Sequence, residues 1–206
     1  MEEKKHIHPV FDRLLQRTDK EKLLEQRGLC IWLTGLSGSG KSTLAIGLER
    51  KLHAMGILCK VLDGDNVRTG LNGNLGFSEA DRNENIRRVA EVNKLFLHTG
   101  IVTINCFVSP TKDIRELARN IIGQEDFYEV YVNASFDECA RRDVKGLYKK
   151  ALAGEIRNFT GLDAPFEAPE DAALKIDTHS LDIETSIERL FDFFIHKIKH
   201  TNTHIL

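Results

Sequence analysis

The sequence predicts an α/β fold: a mostly parallel sheet with helices on both faces. Three observations carry this. Short apolar runs alternate with stretches of helical period along nearly the whole chain, which is the order a parallel sheet with crossover helices requires. The first such run, residues 29–34 (LCIWLT), is short and almost continuously apolar, as a strand covered on both faces is. Finally, 206 residues of 41% hydrophobic composition suit one domain that buries its core without help from metals or disulfides.

Taken in order, residues 1–28 read as a polar N-terminal extension, and 29–206 as one domain. In the extension, Val10, Phe11, Leu14 and Leu15 have the spacing of a helix resting on the main body. Gly35 ends the first strand, and residues 42–55 carry Leu44, Leu48 and Leu52 at helical spacing. Residues 57–62 read as a second strand and 63–76, rich in Gly, Asn and Asp, as loop. Ser78 is the expected N-cap of a long helix, with Asp81 as its acidic partner and Gly100 closing it. A third strand over 101–108 stops at Ser109-Pro110. A helix over 112–122, a fourth strand over 127–132 and a short helix over 135–142 follow. Residues 147–156 are amphipathic, and 158–170 are irregular around Gly161, Pro165 and Pro169. A short fifth strand over 174–177 precedes a closing helix over 183–198, with Ile187, Leu190, Phe194 and Ile198 on one face.

Composition excludes several classes of function. The 29 Lys and Arg against 31 Asp and Glu leave a net charge of −2, so no global basicity points to nucleic acid or an acidic membrane. No run approaches the roughly 20 apolar residues of a membrane span, and residues 1–8 are charged rather than signal-like. Cys30, Cys59, Cys106 and Cys139 form no CxxC pair. They read as reduced thiols, three of them within predicted strands, in a cytoplasmic protein. The histidines are scattered, with only His6 and His8 close together and no metal-ligand spacing.

The strongest chemical signal follows the first strand. Gly35, Leu36, Ser37, Gly38, Ser39, Gly40, Lys41 and Ser42 match G-x-x-x-x-G-K-[ST] in full, and Thr43 continues the stretch. Glycines let the backbone curl so that successive amides point at phosphate oxygens, and the helix that begins near Lys41 adds its positive end. Lys41 supplies a point charge for the β- and γ-phosphates and Ser42 a hydroxyl for Mg²⁺. The fold class is therefore a three-layer P-loop NTPase fold with ATP and Mg²⁺ as cofactors. Asn93-Lys94 lacks the aspartate of a guanine-reading motif, and the third strand ends Cys106-Phe107-Val108-Ser109 without the acidic residue usual in mechanical ATPases. The small size suits instead a small-molecule or nucleotide kinase, whose acceptor binds beside the phosphate loop.

On the acceptor side, Asp63 and Asp65 follow the second strand, where a carboxylate holds Mg²⁺ or accepts a hydroxyl proton. Arg68, Arg82 and Asn85 are the next candidates. Arg82 and Asn85 share a helix face, and arginine suits bidentate recognition of phosphate or sulfate oxygens. Phe77, in a Gly-rich loop, is placed either to stack on a base or to anchor the loop. Arg87 and Arg88 read as a solvated face. Arg141, Arg142, Lys145, Lys149, Lys150 and Arg157 against only Asp143 and Glu155 read as a helical lid, about 142–170, that brings positive charge over a transferring phosphoryl group.

These residues resemble those of the adenylyl-sulfate kinase family. The resemblance covers about residues 28–178 and rests on GLSGSGKST (35–43), DGDNVR (63–68), GLN (70–72) and LGFSEADRNENIRR (75–88). It continues through FVSP (107–110), RDVKGLYKKALAGEI (142–156) and FTGLDAPFEAPE (159–170). It implies transfer of the γ-phosphoryl of ATP to the 3′-hydroxyl of adenosine 5′-phosphosulfate (APS), giving 3′-phosphoadenosine 5′-phosphosulfate (PAPS) for sulfate assimilation. It further implies that Arg68, Arg82 and Asn85 contact the phosphosulfate and ribose, and that Phe77 and Phe159 sandwich the substrate adenine. Val108, Ser109, Lys145, Gly146, Leu147 and Thr160 would complete that pocket, with Arg142 packing on the ATP adenine. The family assigns Ser109 a phosphoserine role, whereas direct in-line transfer suits a P-loop kinase better. Asp63 is the expected base or Mg²⁺ organiser, and Lys41 and Lys145 the catalytic cations. A homodimer and coupling to an ATP sulfurylase are also implied, with no nucleic acid or membrane partner. Departures from the family pattern stand at Gly73, Asn74, Thr111, Lys112, Val144, Ala164 and Phe166. A P-loop kinase of another hydroxyl compound would instead be saturated by an acceptor lacking sulfate. A regulatory module would bind ATP without turnover.

Overall fold

The computed structural model describes residues 6–199. The first five residues of the expected extension and the last seven of the expected domain lie outside the described residues. Five strands form one all-parallel sheet: β1 (Cys30–Thr34), β2 (Cys59–Asp63), β3 (Val102–Cys106), β4 (Phe127–Asn133) and β5 (Leu174–Asp177), in the order β2-β3-β1-β4-β5. β1 lies at the centre and every residue of it is buried, as its apolar run requires. Alternation then sorts its side chains. Leu29, just before the strand, with Ile31 and Leu33 faces Leu44, Leu48 and Leu52 of α2 (Lys41–Ala54) and Leu190 and Phe194 of α8 (Ile183–Ile198). Cys30 and Trp32 face Ile86, Val89 and Ala90 of α4 (Glu79–Leu97) and Ile114 and Ala118 of α5 (Lys112–Ile122). Each buried Leu, Ile, Val or Phe side chain among these contributes roughly 1.5–3 kcal/mol, and each alanine less.

A third, smaller cluster lies beyond the sheet edge. Leu36 packs there with Cys139 of α6 (Phe136–Arg142), Tyr148 and Ala151 of α7 (Leu147–Leu152) and Phe159. It seats the predicted lid against the phosphate loop.

The chain leaves β1 towards β2 on one side and β3 towards β4 on the other. A crevice therefore opens above the carboxyl ends of β1 and β3, where ligands bind in sheets of this kind. Thr34, Asp63, Cys106, Asn133 and Asp177 all end strands at that edge.

Ser78 caps α4 by accepting from the Asp81 amide at 3.2 Å, as expected. Two expectations need correction. Residues 63–76 are not all loop: Gly64–Arg68 forms a short helix, α3, because the Asp63 carboxylate accepts from the Asp65 amide and caps it. The cluster Val10, Phe11, Leu14 and Leu15 is not a helix resting on the body. Phe11–Arg13 is a single 3₁₀ turn, with Phe11 and Leu15 both 72% exposed. The helix of this region is α1 (Arg17–Leu24), and polar contacts fasten it where the apolar spacing had suggested packing. Arg17 pairs with Asp126 and donates to the Gly28 carbonyl at 2.6 Å. Just after α1, the Gln26 side-chain amide donates from Nε2 to the carbonyls of Leu58 and Gly100, both at 2.8 Å. The four cysteines are free thiols; Cys30, Cys106 and Cys139 are buried and Cys59 is half-buried.

Candidate active site

The phosphate loop depends on glycine at its first position. Gly35 has φ +150°, and a Cβ there would stand 2.4 Å from the Val132 carbonyl oxygen, so only glycine lets β1 turn this tightly beside β4. Gly40 then leads into α2, whose first residues are Lys41 and Ser42. The Lys41 ammonium folds back onto the loop and donates to the carbonyls of Gly35 and Leu36, both at 2.7 Å. Burial pushes its pKa down to about 8, with the neighbouring Lys145 acting in the same direction.

Ser42 donates to Asp63 Oδ2 at 2.6 Å, so the end of β2 meets the start of α2. Asp65, two residues on, pairs with Lys145 at the foot of the lid, and both are exposed. A cavity of about 900 Å³ lies over these groups.

The far side of the cavity is built by α3, α4 and the lid. Arg82 donates to the Phe77 carbonyl at 3.0 Å, Thr160 Oγ1 at 3.0 Å and the Asn158 carbonyl at 2.8 Å, joining α4 to the lid. Arg68 donates to the carbonyls of Leu75 and Gly76 and lies 4.4 Å from the centre of the Phe77 ring. Phe77 is 66% exposed, whereas Phe159 is buried edge-on against Tyr148. Asn85 is buried, and its Oδ1 accepts from Asn72 at 2.9 Å. Burial holds both guanidinium groups below their ordinary pKa, with the two like charges adding to the shift of Arg68.

Ser109 is 3% exposed and has φ +36°. Its hydroxyl accepts from Trp32 Nε1 at 3.1 Å and donates to Thr34 Oγ1 at 3.0 Å. Its carbonyl accepts from Arg115 at 3.1 Å, and Arg115 in turn pairs with Glu129 of β4 at 2.7 Å. Burial raises the Glu129 pKa against the pull of the two neighbouring arginines, Arg115 and Arg119.

The structure brings nearly all of the sequence-predicted residues to this one cavity. Ser37, Gly38, Gly40, Lys41, Ser42, Thr43, Asp63, Asp65, Arg68, Phe77, Arg82 and Asn85 line it. So do Val108, Ser109, Arg142, Lys145, Leu147, Phe159 and Thr160. Gly35, Leu36, Ser39 and Gly146 do not: Leu36 is in the third cluster, and Ser39 is fully buried behind the loop. Arg142 sits at the lid base, donating to the Thr178 carbonyl at 2.6 Å and pairing with Glu138. Sequence reading missed a wall made by Glu138, Thr178, Leu181, Ile183 and Ser186. Thr178 directly follows β5, and its place at a strand's carboxyl end was the signal available. Among the departures from the family pattern, Val144 is 85% exposed and Phe166 stacks on Tyr131 with ring centres 6.0 Å apart.

Comparison with known proteins agrees with this geometry. A family model described as adenylylsulphate kinase matches residues 27–177. The adenylyl-sulfate kinase of Bacteroides thetaiotaomicron is 62% identical over 199 residues, covering 97% of this chain and 99% of the relative. The structure of the Mycobacterium tuberculosis APS kinase CysC in complex with AMPPNP and APS superposes with a TM-score of 0.79 at 44% identity, covering 82% of this chain and 98% of that one. A shikimate kinase from Acinetobacter baumannii, 16% identical with a TM-score of 0.58 over 86% of this chain and 98% of its own, shares the fold alone. The phosphate loop, the acceptor-side arginines and these relatives agree: the chain belongs to the adenylylsulphate kinase family, the ATP-dependent kinases of adenylyl sulfate.

Proposed function

We propose that the cavity carries out in-line transfer of the γ-phosphoryl group of ATP to the 3′-hydroxyl of APS, giving PAPS. The observation that carries this reading is the place of Asp63. Its carboxylate touches Ser42 of the phosphate loop at 2.6 Å and caps α3, whose last residue is Arg68 on the acceptor side. It thus lies where donor and acceptor halves meet.

The phosphate loop and α2 hold the ATP phosphates through backbone amides and the helix dipole. Lys41 leaves its two loop carbonyls and follows the β- and γ-oxygens. Arg68, Arg82 and Asn85 fix the phosphosulfate and ribose. The exposed Phe77 ring offers one face to the adenine and Phe159 an edge of the opposite wall, with Val108, Gly146, Leu147 and Thr160 filling the remainder. Arg142, at the lid base, packs on the ATP adenine side. Asp63 accepts the proton of the attacking hydroxyl. Lys145 exchanges Asp65 for the developing phosphoryl charge as the lid closes.

The hydroxyl of Ser42 and the carboxylate of Asp63, two hard oxygen donors already in contact, fit Mg²⁺ and would hold it. When bound, the ion neutralises phosphate charge during transfer.

Ser109 is a pocket residue in this reading, because its hydroxyl is committed to Trp32 and Thr34. The reading extends to a cytoplasmic homodimer that takes APS from an ATP sulfurylase. The exposed Phe11, Leu14, Leu15 and Leu23 leave apolar surface for a partner copy, and sedimentation equilibrium tests the dimer. The reaction is tested by incubating the protein with Mg·ATP and APS and weighing the product. The expected result is a species one phosphoryl group heavier, absent with a 3′-deoxy analogue. Product from the analogue would refute the 3′-hydroxyl as acceptor. Saturation by an acceptor lacking sulfate would point to another substrate.

A further inference from the structure

Every carbonyl of the phosphate loop from Gly35 to Ser39 accepts a hydrogen bond from a side chain. Lys41 serves Gly35 and Leu36, and these are the two bonds it gives up to reach a phosphate. The other three come from outside the loop. Tyr148 Oη donates to the Ser37 carbonyl at 2.8 Å, Arg142 to that of Gly38 at 3.3 Å and Thr178 Oγ1 to that of Ser39 at 2.8 Å. In a trans peptide the carbonyl and the following N–H point in opposite directions. The Ser39 amide donates to the Leu36 carbonyl at 3.2 Å and closes a turn inside the loop. Pulling the carbonyls of 37 and 39 outward turns the amides that follow them, Gly38 and Gly40, inward, as an anion nest requires.

Tyr148 has a second contact. Its ring is buried edge-on between Phe136, 5.2 Å away, and Phe159, 4.9 Å away. Packing alone would be met by phenylalanine; the hydroxyl adds the bond to Ser37 and a contact with the buried Cys139 thiol of α6.

We infer that Tyr148 and Thr178 are positioning residues that hold the phosphate loop in its anion-binding form from outside. Tyr148 also couples that loop to the acceptor wall through Phe159. The inference rests on the reading that the loop takes ATP. Neither residue touches a phosphate; both act through the backbone of 37–40.

The test is isothermal titration of Mg·ADP into the full chain, with steady-state kinetics in parallel. Tyr148→Phe and Thr178→Val each remove one donor, and Thr178→Ser keeps it. Each removal is expected to weaken Mg·ADP about fivefold and to raise the KM for ATP in step, with kcat at saturation changing less than about twofold. Thr178→Ser should bind as wild type does. Removing the ring as well, in Tyr148→Leu, should additionally raise the KM for APS. A purely structural role lowers the melting temperature but leaves the affinity of the folded protein for Mg·ADP unchanged in both donor-removing variants, which overturns the inference. Wild-type protein that does not bind Mg·ADP overturns the nucleotide reading and the inference with it. Wild-type binding with unaltered variants overturns the inference alone.

Discussion

Replacing Ser109 by alanine separates a positioning role from a covalent one. The nearest partners of the Ser109 hydroxyl are Trp32 Nε1 at 3.1 Å and Thr34 Oγ1 at 3.0 Å, with the Phe107 carbonyl a longer acceptor at 3.4 Å. Thr34 keeps its bond to the Val108 carbonyl at 2.8 Å. Trp32 is fully buried, so its indole N–H is left without a partner. An orphaned buried donor costs about 1–3 kcal/mol. The backbone at φ +36° is common to both residues, since each carries a Cβ, and adds little. At ~2–4 °C per kcal/mol for a chain of this size, the melting temperature should fall by roughly 2–12 °C. If Ser109 only shapes the pocket, kcat should stay within about tenfold of wild type, since the groups assigned to phosphate and proton are untouched. The assays are thermal unfolding, steady-state PAPS formation and intact-protein mass after incubation with Mg·ATP alone. A loss of about a thousandfold or more in kcat with the fold intact would refute this reasoning. So would a phosphoryl group found on Ser109 of the wild-type protein.

Asp63→Asn should lower kcat about a hundredfold or more while changing nucleotide affinity only a few fold, because the loop holds ATP without it; equal turnover would remove Asp63 from the mechanism. Burial depresses the Lys41 pKa to about 8, so between pH 8 and its ordinary value of 10.5 the unfolded chain binds the proton that the folded chain has lost. This contribution to stability therefore rises with pH across that window, and below pH 8 the cost of the buried cation is present in full. Lys41→Met should flatten this rise in denaturation experiments, and nucleotide binding near pH 8 should take up protons, read from titrations in buffers of different ionisation enthalpy. Arg82→Lys loses the planar fork that serves Phe77, Asn158 and Thr160, and should raise the KM for APS about tenfold with nucleotide affinity unchanged. Gly35→Ala forces a Cβ to 2.4 Å from the Val132 carbonyl and should abolish measurable nucleotide binding by displacing the loop.

Much of this protein was determined locally and could be read from its residues. The apolar period of 29–34 demanded a strand covered on both faces, and β1 is fully buried. Gly35 to Ser42 had to form an anion loop, because that order of glycines, lysine and hydroxyl serves phosphate wherever a strand feeds a helix. Ser78 and Asp81 were legible as a cap, since capping involves residues only three apart.

The tertiary structure decided what depends on residues far apart in the chain. The apolar spacing of Val10 to Leu15 suggested a packed helix, but the extension is held instead by Arg17 on Asp126 and Gln26 on Leu58 and Gly100, pairs that no local pattern reveals. The commitment of the Ser109 hydroxyl to Trp32 required β1 and β3 side by side. The wall at Thr178 and Leu181, and the three outside donors that shape the phosphate loop, arise because β5 and the lid fold back onto a segment more than a hundred residues earlier. Side-chain type and short spacing carry local conformation and chemistry. Which donor meets which carbonyl across the sheet edge is set by the packing of the whole domain.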